Sequence, residues 1–147
     1  MAQFRYAKGR VVESLQFIST EIKEFEDDYA SKSRKDHEKD KKLQKLIDRT
    51  VENIFTALIE VCGTVLTQEN IPVKSYAQIL KECAGFFGFS EEEQEELSKL
   101  ALQRNRLAHR YLNFRWQAVS SFANLKPVIL RLLVKALERE KILESEA

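Results

Sequence analysis

The sequence has few of the residues that build metal sites, disulfide frameworks or β-hairpins. Cysteine and histidine occur only twice each, and Cys62 and Cys83 form no Cys-x-x-Cys pair. Neither a zinc site nor a disulfide scaffold is therefore predicted, and both cysteines are expected to be small buried residues in a reducing compartment. Sustained apolar alternation and Asn-Gly or Asp-Gly turns are also missing, so strands are not predicted.

Uninterrupted apolar runs are missing as well. The first residues, MAQFRYAKGRVVESLQF, carry charges before any apolar run, and the apolar stretch VILRLLVKAL is interrupted by Arg131 and Lys135. We therefore expect no signal peptide and no membrane span, and a cytoplasmic location. A chain of 147 residues with 44% hydrophobic and 32% charged residues is typical of one soluble domain, residues 1–147, that buries a core.

Acidic residues are absent from Leu97 to Leu137, although the whole chain has a net charge of only +1. This basic window therefore carries +8, and the rest of the chain carries −7. A basic stripe of this kind favours a polyanion such as RNA as the partner, although an acidic protein surface could also use it. The charges belong to eight side chains: Lys99, Arg104, Arg106, Arg110, Arg115, Lys126, Arg131 and Lys135.

Apolar residues recur at spacings of three and four along most of the chain, which predicts an all-α bundle of four main helices and one short one. Capping boxes at Ser75 with Gln78 and at Ser90 with Glu93 mark two helix starts. The predicted helices run to about residue 30, from Leu43 to just before Asn70, through SYAQILKECA, from Ser90 into the arginine segment, and from about Arg115 to Lys141, bent or restarted at Pro127.

Between the first two helices lies SKSRKDHEKDKK, Ser31 to Lys42, in which we find no apolar residue to bury. This composition favours a solvated loop or a frayed helix end over a binding tail. His37 belongs to this stretch, and we expect it to be exposed and without a functional role.

The segment RNRLAHRY concentrates groups that can bind phosphate and move protons. Arg104 falls in the middle of the apolar seam of the fourth helix, so it needs a partner, a water-filled cleft or a subunit interface. An internal salt bridge to Glu52 or Glu60 is one alternative. His109 lies about 140° round the helix from Arg104, whereas Asn105 shares its face and can orient the imidazole or a phosphate.

Three further arginines, Arg106, Arg110 and Arg115, lie within the same twelve residues. A guanidinium can grip a phosphate with two parallel hydrogen bonds, and an imidazole titrates near neutrality. We expect these arginines to bind or orient RNA phosphates beside Arg104 and His109.

The series Arg104-Asn105-x-x-x-His109-x-Tyr111 resembles the R-N-x-x-x-H-x-Y signature of the HepT-like ribonuclease toxins, within the HEPN superfamily of helical proteins. The resemblance extends from LQKLIDRTVENIFTALIEVCGTVL to the helix after the motif. It implies a homodimer whose two motifs face one cleft, and RNA cleavage without a metal or other cofactor. It also implies a minimal nucleotidyltransferase antitoxin that attaches AMP to Tyr111. Arg106 and Arg110 depart from the aliphatic and acidic residues that members often have there.

Elementary chemistry agrees with that implication. Cleaving RNA without a metal needs a base, an acid and a cation at the phosphorus, and a two-fold pair would supply two copies of His109 and Arg104. Two other classes remain open: a non-catalytic HEPN partner, or substrate-binding subunit, of a nucleotidyltransferase, and a structural bundle without a ligand. The intact Arg-Asn-His-Tyr set favours the ribonuclease, because a purely binding protein does not need the histidine.

Overall fold

The computed structural model describes residues 2–109 and 115–146, and the side chains among them from residue 11 onward. These residues form helices joined by short connections, without a strand, so the all-α prediction is confirmed. The elements are α1 (Ala2–Glu24) continued by a π-helical turn (Phe25–Tyr29), α2 (Arg34–Lys39), α3 (Lys41–Gln68), α4 (Tyr76–Phe86), α5 (Glu91–Ser98), α6 (Leu100–Ala108) and α7 (Arg115–Glu146).

Helix α3 lies at the centre of the fold and packs against α1, α2, α4, α6 and α7. By length and composition alone α3 could cross a membrane, with a mean hydropathy of 1.3, but 61% of that apolar window is buried inside the fold. Its apolar face is therefore used as core. The predicted stripe of the first helix is also confirmed, because all six of its residues are buried: Val11, Leu15, Ile18, Ile22, Phe25 and Tyr29.

Local signals define several helix ends. Ser90 and Glu93 form the predicted capping box, whereas at Ser75 only half of the box is present, because the Gln78 side chain accepts a hydrogen bond from the Lys74 amide instead. Helix α4 ends in a turn where Gly88 has a φ of 81°. Glycine adopts this left-handed backbone without the steric penalty that a Cβ would bring.

The two C-terminal helices differ in detail from the prediction. The fourth helix is divided at Lys99 into α5 and α6. At this point the Ser98 hydroxyl donates to the Glu95 carbonyl, which also accepts the hydrogen bond of the Lys99 backbone amide, so the two donors compete for one acceptor. The last helix runs unbroken through Pro127, so the predicted restart is wrong. Leu125 and Ile129 remain in the core on either side of the proline, which offsets the hydrogen bond that it removes.

The prediction for Ser31 to Lys42 is wrong in part: every side chain of this stretch except His37 is exposed as expected, but the stretch contains a capped helix rather than a loop or a frayed helix end. Residues Arg34–Lys39 form α2, which begins with a capping box between Ser33 and Asp36. The His37 side chain is buried, with 2% of its surface exposed, rather than a solvated spectator. A polar group can be buried in this way because a carboxylate on α3, Asp48, accepts its hydrogen bond.

Candidate functional site

Arg104 extends from the apolar face of α6. Of the predicted seam, Leu97 of α5 and Leu100, Ala101 and Leu107 of α6 are buried, whereas Ala108 is partly exposed. Its Nε donates to Thr56 Oγ1 of α3 at 3.3 Å, and Nη1 donates to Asn105 Oδ1 at 3.3 Å. The guanidinium carbon lies 5.7 Å from the centre of the Tyr76 ring. These three groups are neutral, so among the described residues no anion neutralises the charge of Arg104.

The guanidinium borders a cleft of about 420 Å³ between α1 and α3. Within the described part of the chain, no carboxylate comes within ion-pairing distance of Arg104, so the predicted alternative of a salt bridge to Glu52 or Glu60 is not formed. Both side chains nevertheless line the cleft from α3, and Glu13 lines it from α1, so both walls are acidic. The cleft is lined by Glu13, Ser14, Phe17, Glu52, Asn53, Thr56, Ala57, Glu60 and Arg104.

His109 lies at the C-terminal end of α6, and its side chain is exposed. Its backbone amide donates to the Asn105 carbonyl at 2.9 Å. Asn105 thus contacts both predicted catalytic residues, through its side chain to Arg104 and through its backbone to His109. An imidazole at an exposed helix end is accessible to a large substrate such as RNA.

The other predicted site residues fall into three groups. Arg106 donates to Gln117 Oε1 and so connects α6 to α7. Arg110 and Tyr111 lie outside the described residues. Arg115 does not face solvent: its side chain is 11% exposed, and Nη1 lies 3.4 Å from both Asp48 Oδ2 and Gln44 Oε1. The structure therefore places Arg115 in a buried network and not beside the Arg104 cleft.

The basic window is partly neutralised by the fold. Lys126 pairs with Glu26 at 2.5 Å, Arg131 with Glu93 at 2.7 Å, and Arg115 with Asp48. Hydrogen bonds from Ser90 and the Arg131 pair hold the pKa of Glu93 below its ordinary value. The charge of +8 counted along the sequence therefore overstates the positive charge that a polyanion would meet on α7.

The sequence did not predict Thr56 and Tyr76 beside Arg104, nor the contact between His37 and Asp48. Thr56 carries no local signal, because a threonine on an apolar helix is common. Asp48 offered a signal, since a carboxylate beside Ile47 on the apolar face of a helix needs a buried partner. Cys62 and Cys83 are buried as predicted, and hydrogen bonding between them, with burial, raises the pKa of the Cys62 thiol well above its ordinary value.

No group of three or more metal-ligating side chains is found in residues 2–109 and 115–146. The described residues place on the second half of α6 a partly buried arginine and an amide that contacts it, and place an exposed histidine at the end of the same helix. This arrangement belongs to a helical domain with a site suited to a phosphate and to proton transfer.

The comparison with protein families agrees with this class. The model of the family described as Ribonuclease HepT-like matches residues 18–144, more than four-fifths of the chain. The chain belongs to this HepT-like ribonuclease family, whose activity is the cleavage of RNA, and the resemblance noted in the motif is confirmed. Comparison with curated proteins and comparison with solved structures each give no significant match.

Proposed function

We propose that this protein is a metal-independent endoribonuclease that cuts RNA at a site shared by two copies of the chain. The observation that supports it most is the Arg104, Asn105 and His109 group at the exposed end of α6, within a chain of the HepT-like ribonuclease family. In this proposal the protein is the cytoplasmic toxin of a toxin-antitoxin pair.

Each residue has a role that follows from its chemistry. His109 moves protons, first from the attacking 2′-hydroxyl and then to the leaving 5′-oxygen. Arg104 stabilises the negative charge that builds on the phosphoryl oxygens, and Asn105 orients its guanidinium. Because Glu13, Glu52 and Glu60 line the α1 and α3 walls of the cleft, the phosphate approaches Arg104 from the side of α6, the helix that also carries Arg106.

Two observations support the dimer. The buried network around His37 leaves His109 as the one accessible imidazole per chain, so acid and base come most simply from two copies. Exposed aromatic side chains also surround Arg104, since Phe17 is 45% and Tyr76 is 49% exposed. Light scattering should give twice the chain mass of 17.1 kDa, and a monomer at micromolar concentration would contradict the shared site.

The proposed partner is a minimal nucleotidyltransferase that attaches AMP to Tyr111. The added phosphate would bring negative charge and bulk beside the arginines that hold RNA, and so would block the substrate. Co-expression with such an enzyme should add the mass of AMP to the wild-type chain and not to Tyr111→Phe. Equal addition to both chains would place the modification elsewhere.

The central experiment measures cleavage of single-stranded RNA in excess EDTA. The wild-type protein should leave a 2′,3′-cyclic phosphate and spare DNA of the same sequence, because the 2′-hydroxyl is the attacking group. His109→Ala should lose about 10²- to 10⁴-fold in rate. Arg104→Ala should be similarly impaired, and Arg104→Lys should recover little, because an ammonium lacks the planar fork.

Arg131→Ala is the matched control, because it removes an arginine from the same basic window at a side chain that is 57% exposed and paired with Glu93. It should cleave at close to the wild-type rate. Full activity in His109→Ala, activity lost to EDTA, or equal cleavage of DNA would contradict the mechanism. RNA binding without any cleavage by the wild-type protein would favour the non-catalytic alternative.

A further inference from the structure

A buried polar cluster lies where α2, α3 and the start of α7 meet. His37 Nε2 is 2.7 Å from Asp48 Oδ1, and Arg115 Nη1 is 3.4 Å from Asp48 Oδ2. Since an ionised carboxylate only accepts hydrogen bonds, both His37 Nε2 and Arg115 donate to it. The exposed fractions of the three side chains are 2%, 11% and 11%. The cluster is therefore part of the interior of the protein.

The cluster also includes the first turn of α7 through an aromatic contact. The ring centres of His37 and Trp116 are 5.3 Å apart. Gln44 Oε1 accepts a further hydrogen bond from Arg115 at 3.4 Å. Two consecutive residues at the start of α7, Arg115 and Trp116, are thus held by side chains from α2 and α3.

The segment from Arg104 to Arg115, which contains the ribonuclease motif, is attached to α3 at both of its ends. Arg104 donates to Thr56, and Arg115 donates to Asp48. Thr56 and Asp48 lie eight residues apart on the same helix, which is about 12 Å along its axis. One rigid helix therefore sets the separation between the two ends of the segment that carries His109.

Burying these polar groups costs more free energy of desolvation than a purely structural contact requires. His37 Nδ1 and Arg115 Nε are both buried without a hydrogen-bond partner among the described residues. An apolar contact of the same size would avoid the desolvation of these groups. Buried polar groups of this kind are retained in some proteins because directional bonds select one arrangement of the elements that they join.

We propose that His37 and Asp48 are positioning residues of the ribonuclease, which hold the start of α7, through Arg115 and Trp116, in the register that the active site requires. Neither residue touches the substrate. The inference rests on the proposed function, because the register matters for catalysis only if the motif cleaves RNA. It replaces the expectation that His37 is a spectator.

The test compares variants of His37 in the full-length protein. His37→Phe fills the space but removes the donor to Asp48, whereas the amide nitrogen of His37→Gln can occupy the position of Nε2. We expect His37→Phe to lower kcat about 10- to 100-fold, because small displacements of catalytic groups have effects of this size. KM should change less, and His37→Gln should recover most of the rate. If His37→Phe does not fold, His37→Asn replaces it, since its shorter amide does not reach Asp48.

The matched control is Arg139→Gln. Arg139 is also 11% exposed and also joins α7 to α3, through Gln68 and through Glu69, which caps α3 and whose Oε1 is 2.8 Å from Nη2. These contacts lie at the C-terminal ends of α3 and α7, far along both helices from Asp48 and Arg115. Its loss removes a contact between the same two helices without displacing the start of α7. Arg139→Gln should therefore keep the wild-type kcat, whatever it does to stability, and an equal fall in kcat would overturn the proposal.

Trp116, the one tryptophan of the chain, supplies a readout that does not depend on activity. Its emission should shift and its quenching by acrylamide should increase in His37→Phe, return towards wild type in His37→Gln, and stay unchanged in Arg139→Gln. Unchanged emission in folded His37→Phe would refute the anchoring of α7.

The two proposals fail in distinguishable ways. If the wild-type protein cleaves RNA and His109→Ala does not, but His37→Phe cleaves at the wild-type rate, the positioning role is refuted and the ribonuclease stands. If the wild-type protein does not cleave RNA, the proposed function is refuted together with the catalytic consequence of the cluster.

Discussion

Replacing Asp48 by alanine should destabilise the fold strongly, because it leaves a buried guanidinium without its counter-charge. Arg115 is 11% exposed and pairs with Asp48, and His37 donates to the other oxygen of the same carboxylate. Removing one partner of a buried pair typically costs about 3 to 5 kcal/mol. The contact of 3.4 Å is longer than a strong charge-assisted hydrogen bond, so we expect the lower end, about 3 kcal/mol.

Urea unfolding followed by circular dichroism measures this loss. With a denaturant slope of about 2 kcal/mol per molar, a loss of about 3 kcal/mol lowers the unfolding midpoint by about 1.5 M. Glu69→Ala is the control, because Glu69 is 39% exposed and its partner Arg139 keeps a hydrogen bond to Gln68. Exposed pairs contribute at most about 1 kcal/mol, so the control midpoint should fall by less than about 0.5 M.

The double variant decides the cause. If the penalty comes from the uncompensated charge, adding Arg115→Met to Asp48→Ala should restore part of the stability, because an apolar side chain tolerates the same buried site. Simple loss of packing predicts the opposite, a further decrease. A double variant less stable than Asp48→Ala, or an Asp48→Ala midpoint equal to that of Glu69→Ala, would refute the reasoning.

Three further predictions concern the site and the helix ends. Tyr76→Ala should raise the Kd for a non-cleavable RNA about fivefold in fluorescence anisotropy, because the half-exposed ring beside Arg104 can stack on a base, which is worth about 1 kcal/mol or more. Tyr76→Phe should bind normally, and an equal loss of affinity in both variants would exclude stacking. The pKa of Glu93 lies below its ordinary value of 4.5, so the contribution of this carboxylate to stability is complete above pH 4.5 and is lost as the pH falls through the folded-state pKa. The difference in urea unfolding midpoint between wild type and Glu93→Gln should therefore shrink on acidification, and a constant difference would argue against this linkage. Gly88→Ala should cost about 1 kcal/mol in urea unfolding through its φ of 81° alone, since an added Cβ meets nothing within 4 Å, and a gain in stability would contradict this. At Gly63, inside α3, an added Cβ would make only ordinary contact with Ile79 of α4, 3.8 Å away, so Gly63→Ala should stabilise by about 0.5 to 1 kcal/mol.

The sequence by itself determined most of the helices, because their causes are local. The stripe from Val11 to Tyr29 follows the period of the α-helix, and the capping box of Ser90 and Glu93 involves residues three positions apart. The Arg104, Asn105 and His109 series was recognisable for the same reason, since its pattern lies within six residues.

Only the tertiary structure decided what the charged side chains do. Arg104 meets Thr56 across 48 positions of sequence, and Arg115 meets Asp48 across 67. Residue spacing along one helix cannot indicate which side chain of another helix will face a guanidinium. His37 shows the consequence most clearly: its neighbours in sequence are charged and exposed, but a carboxylate eleven residues away on α3 accepts its hydrogen bond and makes its burial possible. Chain neighbours set the helix, and the packing of α2 on α3 set the environment of the imidazole.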